Sequence, residues 1–329
     1  MEEFVAQLSA AMTRHAKTGP IENPSQLSGG ASQEMWRFSA DDNGSSRDFV
    51  LRRRHGGVED DGGLSGTAIT MRAEAELIAA VEAKNVPVPR VRAILDKQDG
   101  LGAGYVMEAL EGETIARKIL RDEEFAAARP LLAEQCGAAM AGIHDVAISS
   151  LDGLRPLPAL EQLAMYREIY DAIDDPHPVF ELAFVWLEDN APKVDDLKLV
   201  HGDFRNGNLM IGAEGLRGVL DWELAHLGDP MEDLGWLCVT SWRFGEIDKP
   251  VGGFGTLDQL FKGYEDAGGT PVDPARVHYW EVFGTMKWGV ICMMQMSAHI
   301  TGATKSVERA AIGRRASETE IDLLSLLAA

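Results

Sequence analysis

Cysteine is scarce: Cys136, Cys238 and Cys292 are the only three in 329 residues, widely spaced and without a C-x-x-C. That excludes a disulfide scaffold and a cysteine-rich metal module, and points to reduced thiols in a cytosolic setting. No apolar run approaches the ~20 residues that a membrane span needs. The opening MEEFVAQLSAAMTRH is acidic and amphipathic and lacks the basic and apolar regions of a secretory signal. A cytoplasmic protein with no membrane association is therefore expected. Basic charge is also short, with 31 Lys and Arg against 52 Asp and Glu for a net charge of −21. Residues 1–110 hold 16 acidic and 12 basic side chains, and the rest of the chain holds 36 and 19. Such a surface repels phosphate backbones, so no nucleic-acid partner is expected. The acidity serves solubility first, although it would also draw in a cationic substrate. G-x-x-x-x-G-K-[ST] and G-x-S-x-G are both missing, which removes a P-loop enzyme and a serine hydrolase of that type.

What is present is an ordinary globular composition, 45% hydrophobic and 25% charged. The length suits two lobes, each with its own core. The first third reads as short strands around one helix. LSGGASQEMWRF (27–38) and DFVLR (48–52) have strand character on either side of the polar turn DDNGSS. The Gly-rich HGGVEDDGGLSG reads as a loop, and AITMRAEAELIAAVEAKN has helical spacing. VRAILD and AGYVMEAL supply two further strands. From about Glu113 the pattern turns helical, with PLLAEQCGAAMAGIHDV and LPALEQLAMYREIYDAI as clear cases. It is interrupted only by the short strands NLMI and GVLDW. The expectation is an α+β chain with a small β-rich N-lobe (1–110) and a larger helical C-lobe (111–329).

The chemistry concentrates in residues 200–236. His201-Gly202-Asp203 followed by Asn208 makes H-x-D-x-x-x-x-N, and Asp221 comes thirteen residues after Asn208 at the end of an apolar strand. Phosphoryl transfer from ATP needs a carboxylate that accepts a hydrogen bond from the attacking hydroxyl. It also needs two oxygen ligands for Mg²⁺ and a cation near the γ-phosphate. Asp203, then Asn208 with Asp221, then Arg205 can fill those places, and a hairpin between Asn208 and Asp221 would bring both ligands to one edge.

This segment resembles the catalytic and metal loops of the aminoglycoside phosphotransferase family, relatives of protein kinases that act on small-molecule hydroxyls. FVLRRR, VPVPRV, HGDFRNGNLMI, LDWELAHLGDPMEDLGW and AIGRRASETEIDLL look most like the branch whose kinase-like domain is fused to acyl-CoA dehydrogenases. The resemblance implies a two-lobed protein-kinase-like fold and use of ATP or GTP with Mg²⁺. It puts Asp203 on the catalytic aspartate, and Asn208 and Asp221 on the metal ligands. Arg52 stands where most kinases carry a phosphate-binding lysine, and its permanent charge and bidentate fork suit that place. Glu74 is its expected ion-pair partner, with Glu76 as the alternative. Ser28, Gly29, Gly30 and Ser32 would cover the phosphates through backbone N–H groups. The main chain at Glu108 and Leu110 would bind adenine.

Plainer roles are expected elsewhere. His144 and His201 read as hydrogen-bonded structural histidines, and Asp229 and Asp233 as groups that cap a helix and brace the loop. Glu223 is placed near the metal without ligating it. YWEVFGTMKWGVICMMQM reads as helical core, part of it lining an acceptor pocket. The acceptor stays open between an aminoglycoside, which the acidic C-lobe would suit, and a hydroxylated acyl-CoA-type metabolite. The competing functions are a pseudokinase that binds nucleotide but acts as an interaction module, and a metal-dependent hydrolase using His201, Asp203, Asp221 and His226. The first is disfavoured by the joint presence of Asp203, Asn208 and Asp221. The second is disfavoured by the lack of H-E-x-x-H or any paired-histidine spacing. No A-P-E-like segment follows Asp221, and GDPMEDLGW comes within a few residues of it, which leaves no room for the long activation loop of a protein kinase.

Overall fold

The computed structural model describes residues 1–27, 33–54, 56, 58, 69–151 and 153–328. The first lobe is built on an antiparallel sheet of β1 (Ile21–Leu27), β2 (Gln33–Asp42), β3 (Ser45–Arg54), β4 (Val91–Ile94) and β5 (Gly104–Glu108), in the order β1-β2-β3-β5-β4. The polar turn is tighter than its composition suggests. Asp42 pairs with Ser45, leaving only Asn43 and Gly44 as the loop, both at positive φ. An Asn-Gly pair tolerates that backbone, and its twist matches the flanking strands.

Alternation along β3 sorts its residues between two faces. Phe49 and Leu51 enter a core with Phe38, Val106 and the α1 residues (Glu2–Ala16) Leu8, Ala11 and Met12. Each Phe, Leu, Val or Met side chain among them contributes about 1.5–3 kcal/mol of burial. Arg53 follows the same parity: its guanidinium lies 4.8 Å from the Phe4 ring centroid, donates to Glu34 and reaches the Leu101 carbonyl. Val50 and Arg52 face the other way, toward α2 (Met71–Glu82) and the second lobe. Thr70 caps α2 by accepting from the Ala73 N–H.

Two elements of this lobe escaped the sequence reading. α1 is a second helix, although Phe4, Val5, Leu8, Ala11 and Met12 carry its spacing. β1 is a polar edge strand containing Pro24, with Asn23 at φ 51° and a register shift between Glu22 and Ser25. Proline and bulges are tolerated at a sheet edge, so β1 has no apolar alternation to read.

The second lobe holds α3 (Ala116–Arg121), α4 (Arg129–His144), α5 (Ala159–Ile173), α6 (Pro178–Asp189), α7 (Met231–Cys238), α8 (Leu257–Asp266), α9 (Pro274–Ile300), α10 (Val307–Gly313) and α11 (Ala316–Leu327). Two ribbons sit among them: β6 (Lys198–Val200) with β9 (His226–Gly228), and β7 (Leu209–Gly212) with β8 (Gly215–Val219), both antiparallel. The 27-residue α9 packs against α5, α6, α7, α10 and α11. Its contact with α7 is close because Gly235 has no side chain; a Cβ there would lie 2.5 Å from that of Trp280. Among the described residues, no helix is long and apolar enough to cross a membrane.

Candidate active site

The two ribbons of the second lobe place the loop residues. Residues 201–203 leave β6, Asn208 enters β7, and Asp221 lies two residues beyond β8. Leu209 pairs with Val219 and the Leu220 N–H donates to the Asn208 carbonyl at 2.8 Å, so the hairpin does bring Asn208 and Asp221 to one edge. Asp221 is held at φ 64°, a conformation that costs a non-glycine residue about 1–3 kcal/mol and is concentrated at functional sites.

The 201–203 turn is braced from beneath. Buried Asp233 accepts from the His201 N–H at 2.8 Å and the Gly202 N–H at 3.0 Å, and contacts His144 Nε2 at 3.0 Å. His144 Nδ1 meets the Tyr264 hydroxyl at 2.9 Å. His201 Nδ1 accepts from the Asp203 N–H, which puts its proton on Nε2, the atom 3.0 Å from the Leu220 carbonyl. Burial pushes the His201 pKa down, in keeping with a neutral ring. Asp229 accepts from the Met231 N–H at the start of α7 and holds Arg276 and the Trp280 indole. His226 packs beside Gly202, where a Cβ would lie 3.3 Å from its Cε1, and its ring nitrogens meet the Leu224 carbonyl and Glu232 rather than Asp203 or Asp221.

The Asp203 carboxylate takes three hydrogen bonds from its own lobe, which leaves one acceptor site on Oδ2. Oδ1 accepts from Arg205 Nε and from Trp236 Nε1, each at 2.9 Å, and Oδ2 accepts from Asn208 Nδ2 at 2.6 Å. Asn208 spends its amide N–H groups on Asp203, leaving its amide oxygen for other use. Arg205 lies on the carboxylate itself, with its guanidinium 4.7 Å from the Trp242 ring centroid.

Arg52 comes down from the first lobe to meet this edge. Its Nη2 is 2.6 Å from Asp221 Oδ1, 3.4 Å from Glu74 Oε1 and 3.7 Å from Glu223 Oε2, and its Nε donates to Gln33. Burial opposes its charge, but Glu74, Tyr105 and Asp221 hold its pKa above the usual arginine value. Glu74, 1% exposed, also accepts from the Trp222 N–H, while Glu76 lies out on the surface with Arg72. Burial raises the Glu74 carboxyl pKa and Arg52 pulls against that shift. Glu223 accepts from Gln33 Nε2 at 2.9 Å, and burial with Asp221 nearby pushes its pKa up to about 7.

A cavity of about 250 Å³ runs over this edge, lined by Arg52, Asn208 and Asp221 at one end and by Met35, Tyr105 and Met107 among its walls. Leu110 follows β5 and has no main-chain hydrogen-bond partner among the described residues, whereas the Glu108 N–H already donates to the Arg90 carbonyl. Ser28, Gly29, Gly30 and Ser32 lie outside the described residues. Sequence reasoning missed Gln33 and Trp236. Gln33 shares strand parity with Met35 and pairs across to Arg54 at the end of β3. Trp236 closes the GDPMEDLGW segment, but only the tertiary fold turns its indole toward Asp203.

A five-stranded lobe with one helix on its cleft side, a helical lobe carrying the H-G-D turn, and a metal-type Asn/Asp pair across a hairpin define a two-lobed, protein-kinase-like architecture. The family model described as "Phosphotransferase enzyme family" matches residues 24–271, and the chain belongs to that family. It is similar to acyl-CoA dehydrogenase family member 10 of Mus musculus, 27% identical over 311 residues, covering 88% of this chain but 28% of the mouse protein. The chain thus spans little more than a quarter of that relative's length. Among solved structures, a putative aminoglycoside phosphotransferase from Ralstonia eutropha aligns with a TM-score of 0.74 at 22% identity, covering 96% and 95% of the two chains. A choline/ethanolamine kinase family protein from Mesorhizobium loti aligns at 0.64 and 18%, covering 100% and 95%. At these identities the two structures speak for the fold.

Proposed function

We propose that the chain is a small-molecule kinase that transfers the γ-phosphoryl group of ATP or GTP to a substrate hydroxyl, with Mg²⁺. The observation that carries this reading is the convergence of Arg52, Asn208 and Asp221 on one cavity, with Asp203 bonded directly to Asn208. The nucleotide lies in that cavity, its base toward Met107 and the Leu110 main chain. Arg52 holds the phosphates, and Glu74 keeps Arg52 in place. The Asn208 amide oxygen and the Asp221 carboxylate form a hard-oxygen pair, the donor set that suits Mg²⁺. When bound, the ion screens the phosphate charges. Asp203 accepts the hydrogen bond of the attacking hydroxyl and orients it in line, while Arg205 offsets charge beside it.

The acceptor is read from a second cavity of about 360 Å³ between α5 and α9, beside Gly202. Met165, Ile169, Ile291 and Met294 contribute an apolar wall, and the buried Lys287 ammonium sits at its floor. That lining suits a hydroxylated acyl-type metabolite better than a polycationic aminoglycoside. The similarity to acyl-CoA dehydrogenase family proteins supports the same choice. Incubating the protein with MgATP or MgGTP and a panel of hydroxylated acyl compounds and aminoglycosides tests it. The expected result is nucleoside diphosphate release that needs both Mg²⁺ and a hydroxylated acyl compound. Release driven by aminoglycosides alone would overturn the acceptor choice, and the absence of both turnover and nucleotide binding would overturn the kinase reading.

A further inference from the structure

The Met- and Trp-rich stretch of α9 holds one residue that core packing does not explain. Lys287 is 6% exposed, and among the described residues no carboxylate lies within ion-pair distance of it. A buried ammonium left without a partner is costly, so its surroundings should show what it is for. Burial works against its charge, yet Tyr166, Glu232, Asp203 and Asp233 hold its pKa above the usual lysine value.

One contact of Lys287 is the Tyr166 ring, its centroid 5.9 Å away in the wall of the acceptor cavity; the other two lead to one place. Lys287 Nζ donates to the Gly202 carbonyl at 3.2 Å, the peptide directly before Asp203. Gly202 is at φ 77°, and a Cβ there would lie 2.5 Å from the Leu224 carbonyl, so this peptide has little room to turn. The same ammonium lies 4.6 Å from the Trp236 ring centroid, and Trp236 Nε1 donates to Asp203 Oδ1 at 2.9 Å. A cation over an indole face draws electron density from the ring and strengthens its N–H as a donor. The lysine therefore reaches Asp203 by two routes, through the backbone and through the indole.

We propose that Lys287 and Trp236 are positioning residues for Asp203, with Lys287 pinning the Gly202 peptide and the Trp236 ring so that the carboxylate keeps one orientation toward the attacking hydroxyl. The proposal rests on the phosphotransfer reading. Neither residue touches the nucleotide cavity, so their loss should slow turnover without weakening nucleotide binding.

The test uses the full chain labelled with ¹⁵N-tryptophan and MgATP as the probe. The Trp236 indole N–H resonance is assigned by its loss in Trp236→Phe. In Lys287→Met that resonance should move upfield. Because Lys287 also lines the acceptor cavity, turnover is read as MgATP hydrolysis without acceptor, which should fall roughly 10- to 100-fold, the scale of a small misplacement. The MgATP dissociation constant should stay at the wild-type value. Trp236→Phe removes the N–H donor together with part of a buried ring packed on Trp242; it should show the same split, which keeps the proposal testable if Lys287→Met does not fold. Wild-type turnover in either folded variant would overturn the proposal, as would an unmoved Trp236 resonance in Lys287→Met. Failure of the wild-type protein to turn over MgATP would instead count against the phosphotransfer reading, and the indole resonance would still decide whether Lys287 acts on Trp236.

Discussion

The two sides of the cleft are built differently. On the second-lobe side, Asp203 takes all its side-chain partners from its own lobe, namely Arg205, Asn208 and Trp236, over a turn braced by Asp233. On the first-lobe side, Arg52 takes Gln33 and Glu74 from its own lobe but makes its 2.6 Å contact with Asp221 of the other. A carboxylate fixed within one rigid body keeps its aim when the lobes move. A cation shared between lobes reports on how they sit, and it can be handed from Asp221 to phosphate oxygens when nucleotide enters. The difference teaches that losses on the two sides should separate into turnover and affinity.

The largest expected break is Asp203→Ala. If Asp203 orients the hydroxyl as proposed, its loss should lower phosphoryl transfer by about 10²–10⁴-fold, checked by nucleoside diphosphate release in the presence of the acceptor. Next comes Arg52→Ala, which strips a charge-assisted contact that strengthens as charge develops on the transferring group. It should cost about 2–4 kcal/mol in kcat/KM. Arg52→Lys sharpens the point: retained activity means a point charge suffices, and lost activity means the guanidinium fork is needed. Asn208→Ala or Asp221→Ala should weaken Mg²⁺-dependent nucleotide binding, read as a shift in the Mg²⁺ titration midpoint.

The smaller effects fall on stability. Asp233→Ala leaves three buried N–H groups, those of the His201 and Gly202 backbone and of His144 Nε2, without their acceptor, and should cost about 1–3 kcal/mol for each group so stranded. Denaturant unfolding measures it. Arg53→Ala should leave nucleotide affinity unchanged, since its side chain lies on the α1 face. The effect should fall on stability instead, because its bonds to Glu34 and Leu101 tie the sheet together. About 1–3 kcal/mol of stability should be lost, again by unfolding.

Much of this site was legible because it depends on local spacing. The interval from Asp203 to Asn208 lies within one turn, and the interval from Asn208 to Asp221 is one hairpin. Alternation along β3 was enough to separate Arg52 from Arg53, whereas Glu74 and Glu76 share one helix, and the packed fold is what sets Glu74 on Arg52 and Glu76 on Arg72. Gln33, Trp236 and Lys287 were not legible, since each meets its partner only after distant elements pack. Lys287 lies 85 positions from the Gly202 carbonyl it holds, and nothing in its neighbours along α9 marks it as other than core. β1 was hidden for another reason: an edge strand with a proline and a bulge needs no apolar pattern.

The contrast between the two sides is tested most directly by titration calorimetry of MgATP into the wild-type protein, Asp203→Ala and Arg52→Ala. The account predicts an unchanged dissociation constant for Asp203→Ala and a clearly weakened one for Arg52→Ala. Equal affinity in all three proteins, or weakening confined to Asp203→Ala, would contradict it.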